Sequence, residues 1–400
     1  MRLNALVQLV GSVILSIASL ITSVLITRNL GYFDRTIYGI YMVSLGQIFV
    51  FIQLGLPGAF NVIGLGVLKL ANKQQILLLL AKRSSPLFLF ALLTNFLFDL
   101  NVWLTILVFL GYLTLIPNQW ITNAFQGYVS NIEFAMWRIM PTGLQLAFII
   151  CLESIEPSWT LRLFLEIWSL SIAMTFILVC LRYKRVTPQQ ASIVSSISLN
   201  EVESIGRSGF IAHIGLSDIL RVENYLIPFL KPVNYSANYF VIGGLANWPR
   251  VLIDGLSTGY FPSYKSLDFE KARNLALKRV IGTISLASIA IFVVRPYGDG
   301  LLQACLGFRY GHVFDLFIAF SLTVLFSSAR RMYLDSFRSQ GESKSRMASR
   351  FEIQSWLISA TSLPIVFTNA SLGTWANVSA MTSLLSLIYL IKRGQSVAND

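Results

Sequence analysis

Sulfur, imidazole and carboxylate chemistry are all scarce in this chain of 400 residues, which has three Cys, two His and 19 Asp and Glu. Cys151, Cys180 and Cys305 are scattered, with no CxxC and no metal-ligand spacing, which excludes a disulfide framework and a zinc site. They read as small apolar fillers of a packed interior. His213 and His312 stand far apart without ligand-type neighbours, although His213 lies where an imidazole could titrate near neutral pH. Neither a P-loop GxxxxGK[ST] nor an HExxH or GxSxG is present, so ATP hydrolysis by a P-loop, zincin chemistry and a hydrolase nucleophile elbow are excluded. No enzyme mechanism and no cofactor are expected. Charge is short too: Asp, Glu, Lys and Arg make up 12% of the chain, about half the share usual in soluble domains.

Apolar residues fill the gap, at 55% of the sequence with a mean hydropathy of +0.66. A surface so poor in charge is built for lipid. The net charge of +12 does not indicate a nucleic-acid face, which would gather Lys and Arg on soluble surfaces. Here they fall in short patches between apolar runs, the pattern that sets topology in a membrane. The first run, Ala5 to Thr27, is too long for a signal-peptide core and follows a single positive charge, so it is expected to remain as a span.

A helix crosses the hydrocarbon with about twenty residues, and about twelve segments qualify. In the first half they fall near 5–27, 38–66, 84–100, 102–126, 131–152 and 160–182. In the second they fall near 207–230, 235–259, 276–295, 312–334, 348–368 and 371–391. With the N-terminus inside, 21 Lys and Arg lie at inner ends, among them Lys82, Arg83, Arg330 and Arg331, against six at outer ends. The asymmetry places both termini in the cytoplasm. The polar, Ser-rich stretch from Lys184 to Ser204 reads as a linker. The expected organisation is thus a six-helix bundle at 1–183, a cytoplasmic linker at 184–205 and a second bundle at 206–400, entering the membrane in the same sense.

Several spans carry polar stripes. The first has Asn4, Gln8, Ser12, Ser16, Ser19, Ser23 and Thr27 at steps of three and four, which lie on one face. Helix packing through small residues is one explanation, and a polar wall is the other. The seventh holds His213, Ser217, Asp218, Arg221 and Asn224, and the eighth holds Asn247, Arg250 and Asp254. Each contains an Asp and an Arg three or four residues apart, close enough to touch. A charge at the bilayer centre costs about 2.5–3.5 kcal/mol on insertion scales, so these pairs point to a wet or ligand-filled interior, or to an ion pair that fixes packing. Arg138 in the fifth span is a further interior candidate. Arg28, at the outer end of the first, suits either snorkelling to headgroups or contact with a substrate. Pro57, Pro117, Pro141, Pro249 and Pro364 interrupt apolar spans and allow bends.

One family pattern runs through these elements. "RNLGYFDRTIYGIY" (Arg28 to Tyr41) resembles the R-x-L-G…Y-G-x-Y passage between the first two helices of polysaccharide flippases, and "QLGLPGAF" (Gln53 to Phe60) is similar to the end of their second helix. "RVENYLIPFLKPVNYSANYFVIGGLANWPRVLIDGLSTGYFPSY" (Arg221 to Tyr264) resembles their seventh and eighth helices. "CLGFRYGHVFDLF" and "FRSQGESKSR" resemble the loops on either side of their tenth. The resemblance covers nearly the whole chain in order. It departs in a longer first loop and in Lys231, where the repeat would have Gly.

These proteins belong to the multidrug/oligosaccharidyl-lipid/polysaccharide exporter superfamily. The resemblance implies an all-α membrane protein with a MATE-like fold, two six-helix bundles around a central cleft. It also implies movement of undecaprenyl-pyrophosphate-linked oligosaccharide across the bacterial inner membrane, for O-antigen or capsule. The expected partners are that lipid-linked substrate, membrane lipids, a polysaccharide polymerase and a chain-length regulator. Arginine forks bind phosphate in bidentate fashion, which makes Arg221, Arg250, Arg28 and Arg138 the candidate pyrophosphate contacts. Asp218, Asp254, His213, Asn224, Asn247 and Ser217 are the polar or coupling candidates. A cation-coupled drug exporter of the same fold remains a second reading, its cavity expected to be acidic. A polyprenyl-linked glycan polymerase or ligase is a third, for which the chain lacks a large outer loop.

Overall fold

In hydrocarbon, the backbone of an apolar run must bond along its own length. The computed structural model of the chain is accordingly helical. It describes residues 2–53, 55–63, 73–125, 129–153, 159–185, 201–204, 222–250, 253, 264, 267–307, 313–340 and 342–396.

The first half begins with α1 (Arg2–Asn29), α2 (Tyr32–Gly39), a π-helical turn (Ile40–Ser44), α3 (Leu45–Gln53) and α4 (Leu56–Ile63). It continues with α5 (Lys73–Phe98), α6 (Val102–Ala124), α7 (Asn131–Glu153) and α8 (Leu161–Arg185). In the second half stand α9 (Glu223–Leu230), α10 (Val233–Leu245), α11 (Phe269–Val294) and α12 (Gly298–Leu306). Then come α13 (Phe314–Arg338), α14 (Glu342–Ala360) and α15 (Leu372–Ser396). Helix is thus found in the described part of every expected span, while 207–221 of the seventh and most of 251–259 of the eighth lie outside the described residues. Seven stretches meet the length and hydropathy of a bilayer crossing: 32–53, 74–98, 102–124, 132–152, 161–185, 269–306 and 372–396. The chain is a multi-pass membrane protein.

Two expectations need correction. The third span begins at Lys73 rather than near 84, so Lys82 and Arg83 lie inside α5. The cysteines are not interior fillers: Cys151 and Cys305 are exposed and Cys180 is half-buried. In lipid the outer surface is as apolar as the core, so a small apolar thiol suits either place.

Breaks follow local chemistry. The second span stops at Gln53 and resumes at Leu56 through Gly55, whose φ of 75° favours a residue without a Cβ. Gln53, buried at the break, is satisfied on both sides: Nε2 donates to Gln119 Oε1 (3.0 Å), and Oε1 accepts from Trp120 Nε1 (2.8 Å). The eighth span breaks after Leu245 into two turn residues before Pro249, which has no N–H to continue the ladder. Pro117 and Pro141 are carried inside unbroken α6 and α7.

The apolar interior falls into two cores. One draws on both halves, joining Ile37, Tyr41 and Trp120 to Ile227, Phe240 and Trp375. The other belongs to the second half alone, around Tyr264, Ala276, Tyr333, Phe337 and Leu390, toward the end of the helices that is rich in Lys and Arg.

Candidate functional site

The joint core marks where the two halves meet. Arg28 Nη2 donates to the Ala304 carbonyl (2.8 Å), Thr36 Oγ1 to the Val233 carbonyl (3.0 Å) and Ser44 Oγ to the Asn224 carbonyl (2.7 Å). Phe90 meets Tyr225 and Phe98 meets Phe229 edge-on or tilted. Phe240 lies over Gly39 so closely that an added Cβ would be 2.2 Å from its ring. All these contacts lie in the half of the molecule nearer the charge-poor ends. The π-helical turn sits in the middle of this seam. One residue per turn is wound in excess there, which re-aims its neighbours. The Tyr41 carbonyl takes a hydrogen bond from Tyr112 Oη (2.8 Å).

Helix faces show which polar groups look inward. On α7, Phe134, Arg138, Gln145 and Ile149 share a face by their spacing. Phe134, Gln145 and Ile149 are buried, whereas Ile132, Met136 and Ile150 on the opposite side are more than half exposed. Arg138 stands in the middle of the buried face and is itself exposed, with its guanidinium 5.9 Å from the Phe134 ring centre. An accessible group on an inward face lies in a cleft. The first span shows the same separation. Gly11, Ala18, Thr22 and Ile26 form its packing face, with Gly11 3.3 Å from Ala135 if given a Cβ. The hydroxyl stripe runs beside that face: Ser16 and Ser23 are half-buried and Ser19 is exposed, while Thr27 is buried. The serines are therefore not the packing surface. The side chains of Asn4, Gln8 and Ser12 lie outside the described residues.

On the eighth span Arg250 is half-buried, one turn beyond the break, and its backbone N–H bonds the Asn247 carbonyl (3.1 Å). Asn247 Oδ1 is buried without a hydrogen-bond partner. Asn224 is 2% exposed and bonds Tyr239 Oη through Oδ1, so it serves the seam between the halves rather than an open wall. Arg28 is exposed and engaged with Ala304 at the charge-poor end of the first span. His213, Ser217, Asp218, Arg221 and Asp254 lie outside the described residues. Arg138 thus stands on the buried side of α7, and Arg250 is half-buried on the eighth span.

A second polar locus escaped the sequence reading. Arg330, counted there as an inner-end charge, lies inside α13 and is 4% exposed. Its Nη1 donates to the Ser355 carbonyl (3.0 Å), Ser359 Oγ (2.8 Å) and Ser386 Oγ (2.8 Å). Beside it a cavity of about 50 Å³, room for a few waters, is lined by Glu223, Thr323, Ser327, Ser359 and Ser383 among others. The signal was the serine spacing of four in α14 and of three or four in α15, which puts hydroxyls on one face of each helix. Among the described residues no group of His, Cys, Asp and Glu could hold a metal ion.

No protein-family model matches the sequence, and neither does any curated protein. Solved structures do. One is described as the inward-facing conformation of a multidrug resistance MATE family transporter of the MOP superfamily. It superposes at a TM-score of 0.69 with 12% identity, over 98% of this chain and 97% of that one. A MATE structure in complex with MaD5 gives 0.65 at 11% identity, over 98% and 94%. A MOP superfamily transporter from Pyrococcus furiosus gives 0.53 at 13% identity, over 98% and 94%. It is described as having a binding pocket of reverse polarity that suggests a different function. The chain therefore has the MATE fold from end to end.

Proposed function

We propose that this protein is a flippase that moves an oligosaccharide linked to a polyprenyl diphosphate across the bacterial cytoplasmic membrane, for O-antigen or capsule assembly. The observation that carries the reading is the accessible Arg138 on the inward face of α7, with the half-buried Arg250 on the eighth span as a second guanidinium. Guanidinium forks suit a diphosphate. No acidic residue occurs anywhere in α1, or in α7 between Glu133 and Glu153, to attract a cationic cargo instead. The half-exposed serines beside them suit sugar hydroxyls, and the tail stays in lipid.

In this reading 1–183 and 206–400 act as two bundles joined by 184–205, with both termini in the cytoplasm. On the same reading the joint core closes the outer end, and cargo loads from the cytoplasmic end. Arg28 belongs to the outer closure, and Arg221, Asp218, Asp254 and His213 remain candidates for the cleft by their positions in the sequence. A polysaccharide polymerase and a chain-length regulator would receive the product.

Export of a cationic drug is the second reading, favoured by the names of the fold neighbours. The reverse-polarity pocket described for one neighbour fits a fold that takes cargo of either sign. The two readings separate in Arg138→Ala and Arg250→Ala. Each is expected to slow flipping of lipid-linked units at least tenfold, with accumulation on the cytoplasmic face. Full export by both variants, or efflux of cationic dyes by the wild type, removes the first reading.

A further inference from the structure

The segment that joins the two halves is not loose at its far end. Residues 201–204 form a helical turn in which Val202 is fully buried in the joint core. Next to it the Glu203 carboxylate meets Arg83 Nη2 at 2.8 Å, with side chains only 13% and 7% exposed. Arg83 turns its other terminal nitrogen, Nη1, to the Ile52 carbonyl at 2.7 Å. That carbonyl is in the last turn of α3, where the break at Gly55 ends the helix and leaves late carbonyls without intrahelical partners. One guanidinium therefore binds the second span, the third span and the linker together.

We propose that the Arg83–Glu203 pair is a clamp that anchors the far end of the linker to the N-terminal half, and so holds the seventh span against that half while the charge-poor ends are joined. Reach supports this. From Glu203 to the expected start of the span at 207 the chain can extend about 14 Å at most. The other end of the span is held on the same side: Ser44 bonds the Asn224 carbonyl, and Phe90 and Phe98 meet Tyr225 and Phe229. The seventh span is thus tied to the second and third near both of its ends. A fork is needed for this role. Lysine keeps the charge as a single point and cannot satisfy Ile52 and Glu203 together in that geometry. Loss of the carboxylate leaves a buried cation without its counter-ion. The clamp makes no assumption about the cargo.

The test is hydrogen–deuterium exchange of the full-length protein in lipid nanodiscs, comparing wild type with Glu203→Gln and Arg83→Lys. Both variants are expected to speed exchange of the 201–204 amides about tenfold and to raise it measurably in 223–230, while α6 and α8 keep wild-type protection as a check on folding. Unchanged exchange at 201–204 in both variants overturns the clamp. Faster exchange there with 223–230 unmoved overturns the anchoring of the seventh span. Because the readout needs no substrate, failure of the flippase reading leaves it unaffected.

Discussion

A glycine is worth most where another side chain occupies the space its Cβ would take. Gly39 is such a residue: its missing side chain lets Phe240 from the other half lie against the second span. Any Cβ there would stand 2.2 Å from the ring, and the aromatic ring is held by the joint core and cannot simply swing away. Gly39→Ala is therefore expected to hold the charge-poor ends apart and, in the proposed flippase, to lower transport at least tenfold. Phe240→Ala in the same chain should restore much of it. Transport assays in proteoliposomes check both, and a fully active single variant would show that the contact is incidental. The sequence marked Gly39 only as part of a Tyr-Gly motif. Nothing in a one-dimensional pattern says which ring will lie over which glycine.

Among elements, α13, α14 and α15 are joined by hydroxyls rather than by apolar area alone. Arg330 from α13 binds Ser355 and Ser359 of α14 and Ser386 of α15, and Ser359 Oγ bonds Ser386 Oγ at 3.1 Å. Between helices in lipid, where no hydrophobic force draws them together, such bonds and close packing hold the bundle. A hydrogen bond to a charged group contributes about 1.5–3 kcal/mol. Arg330→Met, which keeps much of the length but none of the donors, is expected to destabilise the second half by about 2–3 kcal/mol. Unfolding in mixed detergent measures the loss, and wild-type stability would mean that the serines re-pair among themselves. Arg330 was misread from sequence because basic residues near the inner end of an apolar run usually serve topology. Its burial depends on where α14 and α15 place their serines.

At the scale of the molecule, the proposed flippase cycle requires the two halves to part at one end as they close at the other. The charge-poor ends are joined in this structure, and one link between the second and eighth spans is Thr36 Oγ1 to the Val233 carbonyl. Cysteines at these two positions, in a background without Cys151, Cys180 and Cys305, are expected to form a disulfide under mild oxidation. The cross-link should stop transport almost completely, and reduction should restore it. Transport that persists with the bond formed would rule out separation of these ends during the cycle.

The alternation of apolar runs with short basic patches is a one-dimensional property, because bilayer thickness and backbone hydrogen bonding admit few solutions. From it alone came the membrane, the helical class and the approximate places of the helical segments. Arg138 stands out in the sequence too, as a cation amid an apolar helix, where it has few places to go. Tertiary structure decided the rest. It separated the serine stripe of α1 from its packing face, sent Arg330 into a hydroxyl cage and Arg83 onto the linker, and put Phe240 over Gly39. Those outcomes depend on which helix lies beside which, and contact between residues distant in the chain leaves no period in the sequence.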